Sequence, residues 1–350
     1  MLRIVEIALA VIFAALFFVV LGLFFGKDAR ITRSVEVGNP ITQVYDNLNG
    51  FHNFTQWNPW HHVDPEMQKT ISGESFGVGA RLDFSSSEKR VGAGSLQLIE
   101  SSLEETGKIR FTVENDWLGT NKELVFRFKQ DPKTRAVNIV AEFNVEYGWN
   151  VIGRYAGLYL DGRIGEDLEV ALARMSTNLA TVPKVDYSQM LVEEVDLVGQ
   201  NILYVGGGIP AAPRKWEEAQ IEMDKAWKQV EDFMKQSNIT ATGPKLRVVN
   251  VLGEEFNDFS MAYPVESDSI AVKNNVRIGK TYSGKALKLQ FVGDRLAIGV
   301  PRGPREALKA YAMTHGHVYP WDGSGQYDEW VGDDPATGYP MTNVFLPLIK

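Results

Sequence analysis

The sequence predicts an α+β chain, with two sheet-and-helix domains behind an apolar N-terminal helix. Three observations carry that expectation. Alternation of apolar and polar residues through 108–147 is the pattern of an antiparallel sheet with one wet face and one apolar face. A stripe at three- and four-residue spacing, formed by Ile164, Leu168, Ala171, Leu172, Met175 and Leu179, supplies a long amphipathic helix to cover the apolar face. Residues 191–350 then run strand, helix, strand, strand twice over. At 350 residues and 44% hydrophobic composition, the chain is long enough to bury two cores.

The first element is the apolar run from Ile7 to Gly26, 20 residues without a charge. A helix of that length spans a hydrocarbon core of about 30 Å. A cleaved signal peptide is the competing reading, but no small-x-small site precedes Lys27-Asp28-Ala29-Arg30, and residues 1–30 are expected to be an uncleaved single-pass membrane anchor. Lys27, Arg30 and Arg33 outnumber Arg3 plus the amino terminus, so the positive-inside rule places the body in the cytoplasm.

The first domain, residues 31–182, opens with the alternating strand Ile31 to Val37, and Pro40 then starts a short helix carrying Val44, Tyr45 and Leu48. Phe54-Thr-Gln-Trp57-Asn-Pro-Trp60 follows, with Asp64-Pro65-Glu-Met67 and the glycine-punctuated Ile71 to Phe84 behind it. Two tryptophans bracketing Asn-Pro beside a strand describe an aromatic lid over a sheet. Further strands place Ile109, Phe111 and Val113 on one face, then Leu124, Phe126 and Phe128, then Val137 through Tyr147 at every second position. Once the terminal helix covers that face, Trp57, Trp60, Phe84, Trp117, Phe126 and Phe143 either fill the interior or line a cavity within it.

A polar, proline-bearing connector at residues 183–190 ends the helical pattern. Beyond it come strands Leu191 to Leu197 and Asn201 to Val205, with Gly206-Gly207-Gly208 read as a flexible strand-to-helix turn. Pro210 and Pro213 lead into a helix whose Ala219, Met223, Ala226, Trp227, Val230, Phe233 and Met234 form one stripe. Strands Leu246 to Leu252 and Phe259 to Val265 close the first copy. Strand Ala286 to Val292, a helix near Pro304 to Met313 and strand Thr342 to Ile349 form the second, with a cleft expected between copies.

Residues 31–182 resemble the START-like, polyketide-cyclase-type (SRPBCC, helix-grip) superfamily. The resemblance rests on the opening strand and Pro40 helix, Trp57-Asn-Pro-Trp60, Asp64-Pro65-x-Met67, Ser72-Gly73, Gly77-Val-Gly79-Ala80 and the closing Ile152 to Leu168 segment. It implies a sheet gripping a helix around a tunnel for an apolar small molecule or lipid, with catalysis in some members and carriage or sensing in many. Residues 191–350 resemble the gyrase-inhibitor-like effector-binding domain. The residues that carry this are the helix after Pro210, Gly243-Pro244, Tyr263-Pro264-Val265, Ala307-Leu308-x-Ala310-Tyr311 and Tyr327-Asp-Glu-Trp-Val-Gly-Asp-Asp-Pro335. That resemblance implies an acidic residue in the cleft, followed two positions on by an aromatic, that meets cationic, aromatic or amphipathic ligands. Here the acid falls on Asp328 with Trp330, but Glu329 is adjacent and the Asp-Pro turn is one residue longer, so the role is divided between Asp328 and Glu329. Tyr327, Tyr263 and Trp321 join them as ring faces suited to a delocalised cation. The competing reading makes these aromatics core and the acids solvated.

A net charge of −8 argues against a nucleic-acid partner, and no cofactor is expected. Without cysteine there are no disulfides, thiolate nucleophiles or cysteine zinc sites. His61-His62 with Asp64, and His315-x-His317, lack a three-ligand spacing on one element. The expected function is a non-catalytic, membrane-anchored binding or sensing protein for small hydrophobic or amphipathic, including cationic, molecules. Two alternatives stand beside it: a hydrolase of reactive cyclic compounds using Glu329 or Asp328 with Tyr327, and a lipid carrier or stress component.

Overall fold

The computed structural model describes residues 2–210, 216–293 and 302–349, and the chain divides into two compact units, Met1–Lys184 and Val185–Lys350. The first unit begins with helix α1 (Leu2–Leu23), whose apolar side chains face outward along almost its whole length. Strand β1 (Asp28–Val37) leads into three short helices, α2 (Ile41–Leu48), α3 (Phe54–Trp57) and α4 (Trp60–Val63). Six strands follow, β2 (Gln68–Ser72), β3 (Arg81–Ser85), β4 (Ala93–Ser102), β5 (Lys108–Asn115), β6 (Thr120–Gln130) and β7 (Val137–Glu146). They form one antiparallel sheet in the order β1-β7-β6-β5-β4-β3-β2. Strand β7 alternates strictly, burying Val137, Ile139, Ala141, Phe143 and Val145, which a sheet covered on one side requires.

The cover is α6 (Glu166–Thr181), which follows α5 (Val151–Gly157) and a π-helical turn at Asp161–Gly165. Leu168, Ala171, Leu172, Met175 and Leu179 of α6 are buried against the sheet. Asn178 donates to the Gln56 carbonyl at 2.7 Å, tying α6 to α3. Arg33 of β1 reaches Asp161 at 2.8 Å and Glu169 at 2.5 Å, holding the π turn and the start of α6 to the sheet. This is the helix-grip arrangement.

The second unit contains β8 (Val192–Leu197), β9 (Asn201–Pro210), α7 (Trp216–Gln236), β10 (Leu246–Leu252) and β11 (Phe256–Pro264). After these come β12 (Arg277–Lys280), β13 (Gly284–Val292), α8 (Arg302–Thr314), β14 (Tyr327–Asp333) and β15 (Pro340–Pro347). The sheet order is β12-β9-β11-β10-β14-β15-β13-β8. Read from the centre outward, β10-β11-β9 of one copy mirrors β14-β15-β13 of the other. Each copy also has a leading strand beyond the expected strand-helix-strand-strand unit. These leaders are exchanged: β8 pairs with β13, and β12 pairs with β9.

Gly206-Gly207-Gly208 is not the expected turn. The three glycines lie inside β9, opposite Ser260, Phe259 and Asp258 of β11, where cross-strand pairing satisfies their backbone and overrides the weak strand propensity of glycine. Pro213 and the side chain of Ala219 lie outside the described residues. Among the rest of the α7 stripe, Met223, Ala226, Trp227, Val230, Phe233 and Met234 pack with Leu203, Val205, Val249, Phe259 and Met261 of the sheet.

Candidate ligand-binding sites

Five of the six aromatics expected in the first unit come together. Trp57, Trp60, Trp117, Phe126 and Phe143 line a void of about 50 Å³ between the sheet and α6, joined by apolar Pro59, Leu96, Val113, Leu124, Ile164, Leu168 and Ala171 and by polar Asn58 and Asp167. Phe84 stands behind Trp60, with ring centroids 5.1 Å apart, and does not line the void. The rings meet mainly edge to face: Trp57 on Phe126 at 5.9 Å and Trp60 on Trp117 at 5.9 Å. A space of this size admits a few water molecules, well short of the several hundred Å³ of a typical ligand pocket.

Two polar features interrupt this apolar wall. The Trp60 indole N–H donates to Asp167 at 3.3 Å, and Arg90 reaches the other Asp167 oxygen at 2.7 Å, so that carboxylate is compensated. Trp57 is buried and its indole N–H has no hydrogen-bond partner. An unpaired buried donor costs about 1–3 kcal/mol, so a ligand acceptor that reached it would recover that energy.

A larger chamber of about 450 Å³ opens on the far side of Trp117 and Ile164, two residues that line both spaces. Its wall comes from Asp116 and Leu118 of the β5–β6 turn, from Tyr147, and from Ala156, Tyr159, Leu160 and Arg163 around α5 and the π turn. Trp117 and Ile164 therefore form a partition. The turn that carries Trp117 is held at its base by buried Lys122, which donates to the Asn115 carbonyl at 2.9 Å and to its side-chain oxygen at 2.7 Å. Burial pushes the Lys122 ammonium pKa down. Gly119 adopts φ +101° in this turn, and a Cβ there would lie 2.3 Å from a Val145 methyl, so the reversal needs glycine. On the other side Arg163 lies over the Trp117 ring, 4.8 Å from its centroid. Ile164 sits in the π turn, a helical irregularity frequent at functional positions.

The second unit departs from its expected site. On a strand, neighbours point to opposite faces, so β14 divides the expected set: Asp328 and Trp330 face the helices, Tyr327 and Glu329 the other side. Asp328 is not a free carboxylate for a cationic ligand. It is fully buried, accepts from Arg247 Nε at 2.8 Å and Arg305 Nη2 at 2.7 Å, and lies directly across the ladder from Arg247. Burial opposes its ionisation more than any other single cause, but the two guanidiniums together outweigh that and hold its carboxyl below the ordinary range. The neighbouring rings are also occupied. Lys245 lies 4.4 Å from the Trp227 centroid and 5.9 Å from that of Trp330, while Arg247 lies 5.7 Å from Trp330.

The remaining expected residues are dispersed. Glu329 accepts from Asn343 at 3.1 Å. Tyr327 stacks on Phe345 at 4.5 Å, and burial raises its phenol pKa, with Glu329 adding to the shift. Tyr263 donates to Glu231 of α7, and burial with that contact raises its phenol pKa as well. Trp321 is 86% exposed in the turn before β14. A chamber of about 180 Å³ that the sequence did not reveal lies between β9 and α7, floored by Gly206, Gly207 and Gly208 and walled by Glu222, Lys225, Gln229 and Asn275. The glycines gave the only signal, since a strand without side chains leaves room beneath a helix. Among the described residues no group of three or more His, Asp or Glu side chains could hold a metal ion.

No family model and no curated protein matches the chain. Solved structures similar to it cover 42–44% of the chain. A protein from Nitrosospira multiformis is 16% identical with a TM-score of 0.33, covering 43% of this chain and 97% of its own. A protein from Thermobifida fusca is 20% identical with a TM-score of 0.33, covering 42% and 93%. Norcoclaurine synthase from Thalictrum flavum, in complex with dopamine and hydroxybenzaldehyde, is 12% identical with a TM-score of 0.33, covering 43% and 88%. Likeness at this level carries no functional argument, which rests instead on the residues of this chain.

Proposed function

We propose that the chain is a membrane-anchored, non-catalytic binding protein for small hydrophobic or amphipathic molecules, taken up by the helix-grip unit. The observation that carries this reading is the apolar void with an unpaired Trp57 indole donor, which shares Trp117 and Ile164 as walls with a chamber of about 450 Å³. Displacement of that partition would join the two spaces into a volume suited to a ligand with an apolar body and one acceptor group.

Anchoring is supported by α1, which is apolar over Arg3–Leu23 and has none of its hydropathy window buried. Such a surface is untenable in water. Buried Arg154 donates to the Leu23 carbonyl at 2.9 Å and the Phe25 carbonyl at 3.3 Å, capping the end of α1. Removal of α1 as a leader would strip that guanidinium of these partners, which favours retention. The flanking Lys27, Arg30 and Arg33 favour a cytoplasmic body. Native mass spectrometry of the full chain released from lipid nanodiscs tests the binding: an intact small molecule that is lost in Trp57→Phe is expected, and a chain that is empty and ignores a panel of single-chain amphiphiles would refute it.

A further inference from the structure

We propose that the 450 Å³ chamber is a lipid-side entrance, with the face formed by Leu118, Trp149, Ile152, Leu158 and Tyr159 resting in the headgroup layer of the bilayer so that a single-chain amphiphile passes from the membrane to the Trp117–Ile164 partition. This inference rests on the anchored reading of α1. It goes beyond that reading by assigning which surface meets the lipid and where the ligand enters.

Depth provides the first argument. Tyr155 of α5 donates to the Phe18 carbonyl at 2.9 Å, its ring stacks on Phe18 at 4.0 Å, and it meets Phe25 edge-on at 4.9 Å. Phe18 lies five residues before the end of α1, about 7.5 Å along its axis at 1.5 Å per residue. Since Arg3–Leu23 itself spans about 30 Å, the full hydrocarbon thickness, a side chain bonded at the level of Phe18 lies below the water boundary. Helix α5 is therefore drawn into the interface, at the depth of about 5–10 Å that interfacial helices reach.

Composition provides the second. Trp149 is 80% exposed, Ile152 68% and Tyr159 78%, an apolar and aromatic group with no protein cover. Ile152, Tyr155 with Ala156, and Tyr159 recur at three, four and seven residues, one stripe running along α5 and into the turn after it. Lys27 and Arg154 lie 5.7 and 5.9 Å from the Trp149 ring centroid, the pairing of aromatic and cationic groups suited to the membrane–water boundary. Tyr159, Leu118 and Arg163 border the chamber itself, so the surface in contact with lipid is also the mouth.

The chain has no cysteine, which makes single-site labelling clean. Ile152→Cys and Tyr159→Cys, each carrying an environment-sensitive fluorophore in the full chain, would be reconstituted in phosphatidylcholine vesicles containing lipids spin-labelled near the headgroup. Lys133→Cys in the turn after β6 serves as one reference, and Phe13→Cys at the middle of α1, read in vesicles whose lipids are spin-labelled near the acyl-chain end, as the other. Quenching at positions 152 and 159 several-fold above that at 133 is expected. Quenching no greater than at 133, with position 13 still quenched, would overturn the inference while leaving the anchor intact; an unquenched position 13 would bring down both. Uptake of cis-parinaric acid from the same vesicles tests the route, with Trp117→Ala expected to accelerate it several-fold and Tyr159→Ser to slow it. Opposite signs cannot both come from misfolding, and equal rates in the two variants would refute the entrance.

Discussion

In the first unit, large rings gather under the helix that covers the sheet and still leave an empty space between them, whereas in the second the matching position is filled by one carboxylate and two guanidiniums. Both units cover an antiparallel sheet with helices, and both keep a space beneath them, so the architecture alone does not decide what lines it. Side-chain shape and charge decide it. Indole and phenyl rings meeting edge to face leave gaps between them, and the gap here is walled mainly by apolar side chains. A buried ion cluster does the opposite, because both guanidiniums are drawn to one carboxylate oxygen, Asp328 Oδ2, and cannot leave it without stranding a buried charge. The first interior is lined by rings around an apolar void, and the second holds its own charges.

The largest expected effect that tests this contrast is Asp328→Ala, which leaves Arg247 and Arg305 buried without their shared carboxylate. It should destabilise the second unit by about 4 kcal/mol. Hydrogen exchange read separately in the two units should show the loss confined to residues beyond 185, and a uniform loss would break the comparison. Leu168→Ala, in the wall of the void, should cost the first unit about 3 kcal/mol. The enlarged space should also bind benzene, observable as a rise in midpoint temperature. Acid provides a third test. Because the folded Asp328 carboxyl lies below its unfolded value, its stabilisation is fully present above the ordinary carboxylate range and is lost as pH falls through the folded value. The second unit should therefore lose protection with acid at a pH where Asp328→Asn shows no further change. Trp60→Phe removes the bond to Asp167 together with part of the ring contact on Phe84 and Trp117, and should cost about 1–2 kcal/mol. Ala171→Leu should fill the void with a stability change within about 0.5 kcal/mol and abolish amphiphile binding, the smallest structural effect with the clearest functional one.

Strands β5, β6 and β7 were legible in the sequence because one of their faces is wet and the other dry, so every second residue reports the fold. The same holds for α6 and α7, whose stripes face a single sheet. The four-residue β12 carries no such signal, being an edge strand with little burial to pattern it. The aromatic wall could be read because rings on the dry face of a sheet have only the interior to occupy. The outer chamber could not, since it is assembled from a turn, a loop tyrosine and a π turn that come together only in three dimensions. Asp328 was visible as an acid, but its partners lie 81 and 23 residues away, and no local pattern announces a pairing at that separation. Its division from Glu329 follows from strand geometry that becomes usable only once β14 is known to be a strand.

The exchanged leaders β8 and β12 set a timetable for biosynthesis. Glu193 of β8 bonds Lys288 of β13, 95 residues later. At about 5–20 residues per second, roughly 5–20 s separate the emergence of the two from the ribosome. Through that interval β8 is an edge without a neighbour, and the nascent second half must be kept from pairing elsewhere until β13 has been made.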